Sequence, residues 1–274
     1  RRRGRGRAPR AIPLHRFMVM AIDRESGDVV WERVAREEVP HEGHQPNGTY
    51  ASGSAVTDGE RLFAFFGSWG LYAFDMDGNL QWEVDLGTRH MRNAFGEGTT
   101  PALHGDTLVV TWDHIGGQSF IVALDKRTGQ ERWRANRDEI DTWATPLIVE
   151  HDGRAQVITQ AMDRVNSYDL ETGDRRWWVG GLPFEMKATP VLDGDTLFVQ
   201  GYASPLNEVG QQLVVDSWAD TVEEHDRDGD GLISRDEFPH DRARGYILYV
   251  DLDGDGAMNQ DDWRYYRAAM ASLN

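Results

Sequence analysis

The chain has 274 residues, of which 39% are hydrophobic, and it contains 10 Trp. This composition is enough for one large domain or two ordinary domains, and it excludes a disordered chain. A net charge of −17 makes nucleic acid a poor partner, and the absence of Cys excludes disulfides and thiol chemistry. No stretch approaches the roughly 20 apolar residues that a membrane-spanning helix needs.

The chain opens with a basic run, RRRGRGRAPR, which carries six Arg and no acidic residue. No aromatic residue is interleaved with these charges, so we predict that residues 1–14 form a disordered linker or tail and not a nucleic-acid arm. No signal peptide is visible in this segment, which begins with Arg instead of Met.

Four segments then repeat one pattern, in which a strand ends in Asp, a Gly follows, and a second strand presents a Trp. The segments are AIDRESGDVVWE, AFDMDGNLQWE, ALDKRTGQERWR and SYDLETGDRRWW. Their aspartates, Asp23, Asp75, Asp125 and Asp169, are 52, 50 and 44 residues apart. Each segment is typical of a β-hairpin whose Asp accepts hydrogen bonds from the turn amides. One Trp per repeat at a constant offset favours a wedge between neighbouring sheets.

Two further strands precede three of these hairpins, as in SGSAVTDGERLFAFF, TTPALHGDTLVVTW and WATPLIVEHDGRAQVITQA. The segment ATPVLDGDTLFV, 188–199, has only the first two strands of such a unit, and residues 15–32 have only the last two. The sequence therefore predicts a mainly β fold of four-stranded blades, with three complete blades and two half blades.

This pattern resembles the bacterial PQQ-like β-propeller repeat family over roughly residues 15–202. The resemblance implies a propeller domain at 15–205. The two half blades would either close a four-bladed ring or belong to a longer propeller with open edges at both ends. The fold serves dehydrogenases and non-catalytic scaffolds alike, so it implies no activity by itself.

The segment DRDGDGLISRDE, 226–237, matches the calcium loop of an EF-hand at the positions that bind the ion. Its predicted ligands are the side chains of Asp226, Asp228, Asp230 and Glu237 and the carbonyl of Leu232. Glu237, at position twelve, is long enough to bind with both oxygens. We expect this loop to be the tighter of two calcium sites.

A second loop, DLDGDGAMNQDD, spans 251–262. Its predicted ligands are Asp251, Asp253, Asp255, Asp262 and the carbonyl of Ala257. Asp262 is one methylene shorter than the usual Glu, so this loop is expected to bind calcium more weakly or to favour magnesium. Both loops belong to a predicted helical domain at 206–274, with a helix over 212–225, a short helix between the loops, and a helix over 262–273. Calcium there would act as a structural staple or as a regulatory switch that exposes a groove near Met258 and Met270.

Loops that lead into the inner strands offer the remaining candidates for a polar ligand at the propeller face. These are His41, His44, Arg92, Asn93, Glu97, Asp141, Trp143 and Lys187. His41 and His44 offer imidazoles to a metal, although a solvated pair is the competing interpretation. Arg92, Asn93 and Glu97 are suited to holding a polar ligand.

The resulting hypothesis is a calcium-binding, non-catalytic β-propeller scaffold or interaction protein that works outside the cytoplasm, in the periplasm or secreted. PQQ is not expected as a cofactor, because the quinone site of the related dehydrogenases has a calcium triad that we cannot place on this chain. It also often has two adjacent Cys, and this chain has none. The alternatives are part of a quinoprotein-like oxidoreductase and a calcium-sensing interaction module. The propeller's partner, a protein or a polar ligand, is left open.

Overall fold

The computed structural model describes residues 12–115, 117–162, 164–182, 186–201, 214–238 and 247–271. Most of the predicted basic tail, residues 1–11, lies outside this description. Residues 239–246, which hold most of the short helix predicted between the two loops, also lie outside it.

Three four-stranded antiparallel sheets form the body of the protein, and each follows the chain order from its first to its fourth strand. The first sheet contains β3 (Val56–Thr57), β4 (Arg61–Phe65), β5 (Leu71–Asp75) and β6 (Leu80–Val84). The second contains β7 (Ala102–His104), β8 (Thr107–Trp112), β9 (Phe120–Asp125) and β10 (Glu131–Asn136). The third contains β11 (Leu147–His151), β12 (Arg154–Gln160), β13 (Arg164–Asp169) and β14 (Arg175–Gly180).

Two-stranded sheets flank these blades at both ends. The first pairs β1 (His15–Ile22) with β2 (Val29–Glu38), and the second pairs β15 (Val191–Asp193) with β16 (Thr196–Phe198). The prediction of a mainly β fold with three complete blades and two half blades is therefore confirmed. Within the described residues the two half blades remain separate sheets, so they do not close a ring with each other.

The repeated tryptophans join each blade to the next. The indole Nε1 of Trp31 donates to Met76 O at 2.9 Å, that of Trp82 to Lys126 O at 3.0 Å, and that of Trp133 to Leu170 O at 2.8 Å. Each acceptor directly follows the repeat Asp of the next blade. The rings lie over the turn glycines Gly78, Gly129 and Gly173, where a Cβ would come within 2.5–2.8 Å of the indole. The glycine is thus required both by the turn, with φ near +80°, and by the ring that covers it.

The repeat aspartates stabilise the hairpin turns as predicted. Asp125 Oδ1, for example, accepts the amide hydrogens of Arg127 and Thr128 at 2.9 and 3.2 Å, and Asp169 Oδ1 does the same for Glu171 and Thr172. The side-chain hydrogen bond from Arg132, followed by these amides, lowers the pKa of Asp125 below its ordinary value. In every complete blade, the Trp therefore lies at the same offset from the Gly of its turn.

A small helical segment follows the sheets. It contains α1 (Trp218–His225), β17 (Ile233–Ser234), α2 (Ile247–Val250), β18 (Ala257–Met258) and α3 (Gln260–Ala271). The first helix begins at Trp218 and not at residue 212, because Ser217 caps it by accepting the amide hydrogen of Asp220 at 3.2 Å. In the described part of the chain, no helix has the length and apolar character needed to cross a membrane.

Candidate functional site

The first candidate metal loop, residues 226–237, begins directly after α1. The two carboxylate oxygens of Asp226 accept the amide hydrogens of Gly229 and Gly231 at 2.7 and 2.9 Å, which folds the loop back over this side chain. Oxygen atoms of Asp226, Asp228 and Glu237 lie within 4.8 Å of one another. Side-chain oxygens this close together can contact one cation, and carboxylate oxygens are ligands that calcium prefers.

Glu237 is held in its ionised form at the end of the first loop. Its Oε2 accepts the hydroxyl and the amide of Ser234 at 2.6 and 2.9 Å, and its Oε1 accepts the amide of Arg227 at 2.9 Å. The Ser234 hydroxyl and these amides lower the pKa of Glu237 to about 2. A carboxylate that stays ionised is the form that binds a hard cation.

The second candidate loop, residues 251–262, repeats this arrangement. Asp251 accepts the amide hydrogens of Gly254 and Gly256 at 2.7 and 2.9 Å. Oxygen atoms of Asp251, Asp253 and Asp255 lie within 4.8 Å of one another. The two loops therefore have the same internal hydrogen bonds at their first position, although their sequences differ at most other positions.

The last ligand position distinguishes the two loops. Asp262 is fully buried, and its two oxygens accept the amides of Leu252 and Asn259 at 2.8 and 2.9 Å. Burial, with a smaller contribution from the carboxylates of Asp253 and Asp251, raises the pKa of Asp262 to about 6. Asp262 therefore takes up a proton far more readily than Glu237, and it does not belong to the cluster of three neighbouring aspartates.

The structure brings six of the ten predicted ligands into two clusters of three. Asp230 lies outside the first cluster and accepts the amide of Leu232 at 2.8 Å. Asp255, which belongs to the second cluster, accepts the amide of Ala257 at 2.9 Å. Leu232 and Ala257 thus occupy equivalent places in their loops, directly before Ile233 and Met258.

A two-residue antiparallel bridge, β17 with β18, joins the loops to each other. It pairs Ile233 with Met258 and Ser234 with Ala257. Ile233 and Met258 are completely buried. They belong to a core that also contains Phe238, Trp263, Tyr265, Tyr266 and Met270.

This core is shared with the blades. Ile140 and Met162, from loops of the second and third sheets, pack into the same cluster as Ile233 and Met258. The guanidinium of Arg92 lies 4.6 Å from the centre of the Tyr265 ring. Arg264 on α3 forms an ion pair with Asp138. The helical segment is therefore docked on the propeller through apolar, cation–π and ionic contacts.

Several of the predicted polar-ligand residues are used within the protein. Glu97 forms a buried ion pair with Arg89 and accepts the amide of Ser68 at 2.9 Å. Asp141 accepts the Arg92 amide at 2.8 Å. The side chain of Asn93 lies outside what the structure describes. Within the described residues, Arg92, Glu97 and Asp141 thus support the inner loops directly.

The other predicted residues of the propeller face occupy two separate places. Trp143 Nε1 donates to Gly96 O at 2.8 Å, and the ammonium of Lys187 lies 5.0 Å from the Trp143 ring. His44 packs edge-on against Tyr50, with ring centres 4.5 Å apart. His41 instead lies in a cluster with Glu42 and His90, and His44 is not part of it.

A cavity of about 750 Å³ separates the inner loops of the propeller from the second candidate loop. Its walls include Glu42, His90, His114 and Glu139 on the propeller side and Asp251 and Asp262 on the other. Sequence reasoning did not select the four propeller residues. Their significance depends on contacts between separate loops, and no local motif signals them.

Glu139 is the most strongly perturbed carboxyl group at this cavity on the propeller side. Its Oε1 accepts a hydrogen bond from Asn166 Nδ2 at 3.1 Å, and Arg164 Nε lies 3.8 Å away. Burial raises its pKa to about 7, although the nearby Arg137 acts in the opposite direction. Arg137 is itself engaged by Asp113 in a buried, two-pronged ion pair with N–O distances of 2.7 and 2.9 Å.

The four-stranded blades and the tryptophan wedges define a PQQ-like repeat protein with a propeller-like fold. Residues 16–217 match the family described as outer membrane protein assembly factor BamB. This match covers most of the chain, and the chain belongs to that family. A comparison with curated proteins gave no match.

Solved structures show partial similarity to this chain. BamB from Moraxella catarrhalis is 18% identical, with a TM-score of 0.48, over 69% of this chain and 60% of that chain. A europium-containing methanol dehydrogenase is 19% identical, with a TM-score of 0.36, over 47% of this chain and 24% of that chain. Quinohemoprotein alcohol dehydrogenase from Comamonas testosteroni is also 19% identical, with a TM-score of 0.39, over 52% and 22%. The chain thus spans 60% of the BamB chain and less than a quarter of either dehydrogenase.

Proposed function

We propose that this chain is a calcium-binding, non-catalytic β-propeller scaffold or interaction protein with an EF-hand pair. Calcium in this proposal fastens the helical segment to the propeller. The observation that carries the proposal is the equivalent folding of the two loops, each of which gathers three carboxylates within 4.8 Å. The bridge between Ile233 and Met258 supports a paired arrangement of the two sites.

The energetic argument rests on charge. Each loop contributes four predicted ligand carboxylates, and like charges at short range repel one another unless a cation lies between them. The helical segment has a small core of its own, and small domains have little stability to spare. An ion that binds only the folded loops stabilises them by about 2.7 kcal/mol when present at a hundredfold excess over Kd.

The placement of the methionines favours a staple over a switch. A calcium switch of the sensor type opens its helices and exposes a Met-rich groove. Here Met258 and Met270 are 0% and 1% exposed, and they share their core with Ile140 and Met162 of the propeller. The surface that a switch would expose is therefore already covered by the blades.

We expect the two sites to differ in affinity. Glu237 is long, ionised and able to bind an ion with both oxygens, whereas Asp262 is short and its pKa is raised to about 6. The second loop is therefore proposed as a weaker calcium site or as a magnesium site. Weak sites of about 10⁻⁴–10⁻³ M are filled outside the cytoplasm, so we place the protein in the periplasm or in the secreted fraction.

Calorimetry on metal-free protein tests this proposal. Calcium should bind in two events of different affinity, and Glu237→Gln should abolish the tighter event and leave the weaker one. Glu224→Gln is the matched control, because it makes the same chemical change at a side chain that is 71% exposed on α1. Survival of the tight event in Glu237→Gln would show that the first loop is wrongly assigned.

The competing proposal is that the chain forms part of a quinoprotein-like oxidoreductase. Incubation with PQQ and calcium, followed by desalting, distinguishes the two. A scaffold should retain no quinone absorbance and show no dye-linked alcohol oxidation. Retention of one quinone per chain would replace the scaffold with the oxidoreductase. The scaffold's own partner, a protein or a polar ligand at the propeller face, would be sought only after that result.

A further inference from the structure

The propeller side of the cavity holds a cluster of metal-binding side chains that neither candidate calcium loop contains. His90 Nδ1 lies 3.3 Å and His41 Nε2 lies 3.9 Å from Glu42 Oε2. His41 and Glu42 are adjacent in the chain, whereas His90 is brought from the loop after the first complete blade. We propose that His41, Glu42 and His90 bind a divalent transition-metal ion of the zinc type.

The distances suit such an ion. Nitrogen and oxygen ligands about 2.05 Å from a tetrahedral zinc ion are about 3.3 Å from one another. The His90–Glu42 separation equals this value, and the His41–Glu42 separation of 3.9 Å exceeds it, so His41 must move closer when the ion binds. Two imidazoles with one carboxylate favour zinc and its neighbours over calcium, which prefers oxygen ligands alone.

The surroundings of the Glu42 carboxylate also favour the binding of a cation. Its carboxylate is 14% exposed, and the ion-pair partners found within the described residues are the two histidines only. The Met91 amide donates to it at 3.1 Å, which fixes the orientation of the carboxylate toward the two rings. A divalent ion would supply positive charge beside this half-enclosed carboxylate.

One hydrogen bond competes with the metal. His41 Nε2 lies 2.8 Å from the carbonyl oxygen of Arg89, so this nitrogen must exchange that contact for the ion. A single hydrogen bond of this kind is weak beside the coordination of a divalent ion by three side chains. His41 packs against Trp69 in a tilted arrangement, with ring centres 5.4 Å apart, and this contact restricts the position of its ring.

The surrounding cavity provides a second, independent observation. His114 lines the same cavity as His90 and Glu42, and it is 9% exposed. Its Nδ1 is buried and has no hydrogen-bond partner among the described residues. A buried imidazole in this wall could serve as a further ligand or as a hydrogen-bond partner of a metal-bound group. Three protein ligands leave a fourth coordination position for a water or another ligand.

Cobalt(II) is the appropriate probe, because its visible absorption responds to nitrogen ligands and because calcium has no such spectrum. The full chain is titrated with cobalt in excess calcium, so that the two candidate calcium loops are occupied. We expect one cobalt ion per chain, with at least about tenfold weaker binding in Glu42→Gln and in His90→Ala. His44→Ala should bind as the unmodified protein does, because His44 lies outside the cluster.

Glu237→Gln should also leave cobalt binding unchanged, which separates this site from the proposed calcium function. The inference is overturned if the unmodified protein binds no cobalt, or if both cluster variants bind it normally. It is equally overturned if Glu237→Gln removes the binding. If the cluster variants fail to fold, X-ray absorption is measured on the zinc-loaded unmodified protein instead. We expect two imidazoles in the coordination sphere of the zinc ion. A coordination sphere without imidazole would refute the site.

Discussion

The blade interfaces and the helical segment are held together by different means. Between blades, Trp82 and Trp133 each cover a glycine of the next turn and donate one hydrogen bond to a backbone carbonyl of that turn, Lys126 O or Leu170 O. The helical segment instead combines a small apolar core with two loops that contain eight predicted ligand carboxylates. We therefore expect the blades to be stable by themselves, and we propose that the helical segment depends on an ion as well as on its contact with the blades.

The difference between the two regions predicts which region each change should destabilise. Removal of a wedge tryptophan should destabilise the sheets and leave metal binding intact. Removal of the metal should loosen the helical segment and leave the sheets intact. If removal of a tryptophan and removal of the metal each destabilised both regions equally, the protein would have one cooperative core. The two regions would then not differ in what stabilises them.

The largest effect is expected for Trp133→Ala, which should reduce the free energy of unfolding by about 3 kcal/mol through the cavity that it leaves. The matched control is Trp177→Ala, because Trp177 is 38% exposed and its Nε1 reaches Gln156 of its own blade instead of a neighbouring turn. We expect a loss below about 1 kcal/mol there. Urea unfolding measures both, and equal losses would contradict a wedge that acts between blades.

Calcium removal should have the next largest effect, about 2.7 kcal/mol at an initial hundredfold excess over Kd. Amide exchange measured with and without a chelator should rise across residues 211–274. It should stay nearly constant in β4, β8 and β12. A switch would give a different result: the helices would stay protected while exposure near Met258 and Met270 changed. Unchanged protection of 211–274 in both conditions would refute the staple.

The junction between the two regions should respond to pH through Glu139, whose pKa burial raises from 4.5 to about 7. Between these values the folded state binds a proton that the unfolded state lacks, so stability falls as pH rises through this window. The slope is at most about 1.4 kcal/mol per pH unit. Glu139→Gln should flatten it, as measured by urea unfolding at several pH values in excess calcium. An identical slope in the variant would show that Glu139 titrates normally.

The smallest effect concerns the two loops themselves. Glu237→Asp gives the first loop the shorter acid found at position 262, and calcium affinity at the tight site should fall about tenfold, or ~1.4 kcal/mol. The two calorimetric events should then approach each other. If the affinities remain as different as before, side-chain length at this position does not explain the difference between the loops.

Sequence patterns are sufficient where the physical cause is local. The Asp–Gly–Trp repeat predicts the hairpins, their order and the number of complete and half blades, because turn chemistry and strand alternation act within a few residues. The spacing of acidic residues in 226–237 and 251–262 predicts four ligand carboxylates in each loop, and the backbone of each loop brings three of the four together. The first helix was misplaced by six residues because its cap at Ser217 decides where it begins.

Other features depend on residues that meet only after folding. Glu42 and His90 are 48 residues apart, and nothing in either loop signals that they share a cluster with His41. The pKa of Glu139 follows from burial at the cavity, and burial is a property of the packed chain. Ile140 and Met162 join the helical core although they belong to blade loops. The sequence by itself determined the repeating units and the acidic loops, because each is specified by neighbours in the chain. The tertiary structure alone decided how the loops meet the blades and which side chains face the cavity, because those contacts join residues far apart in the chain.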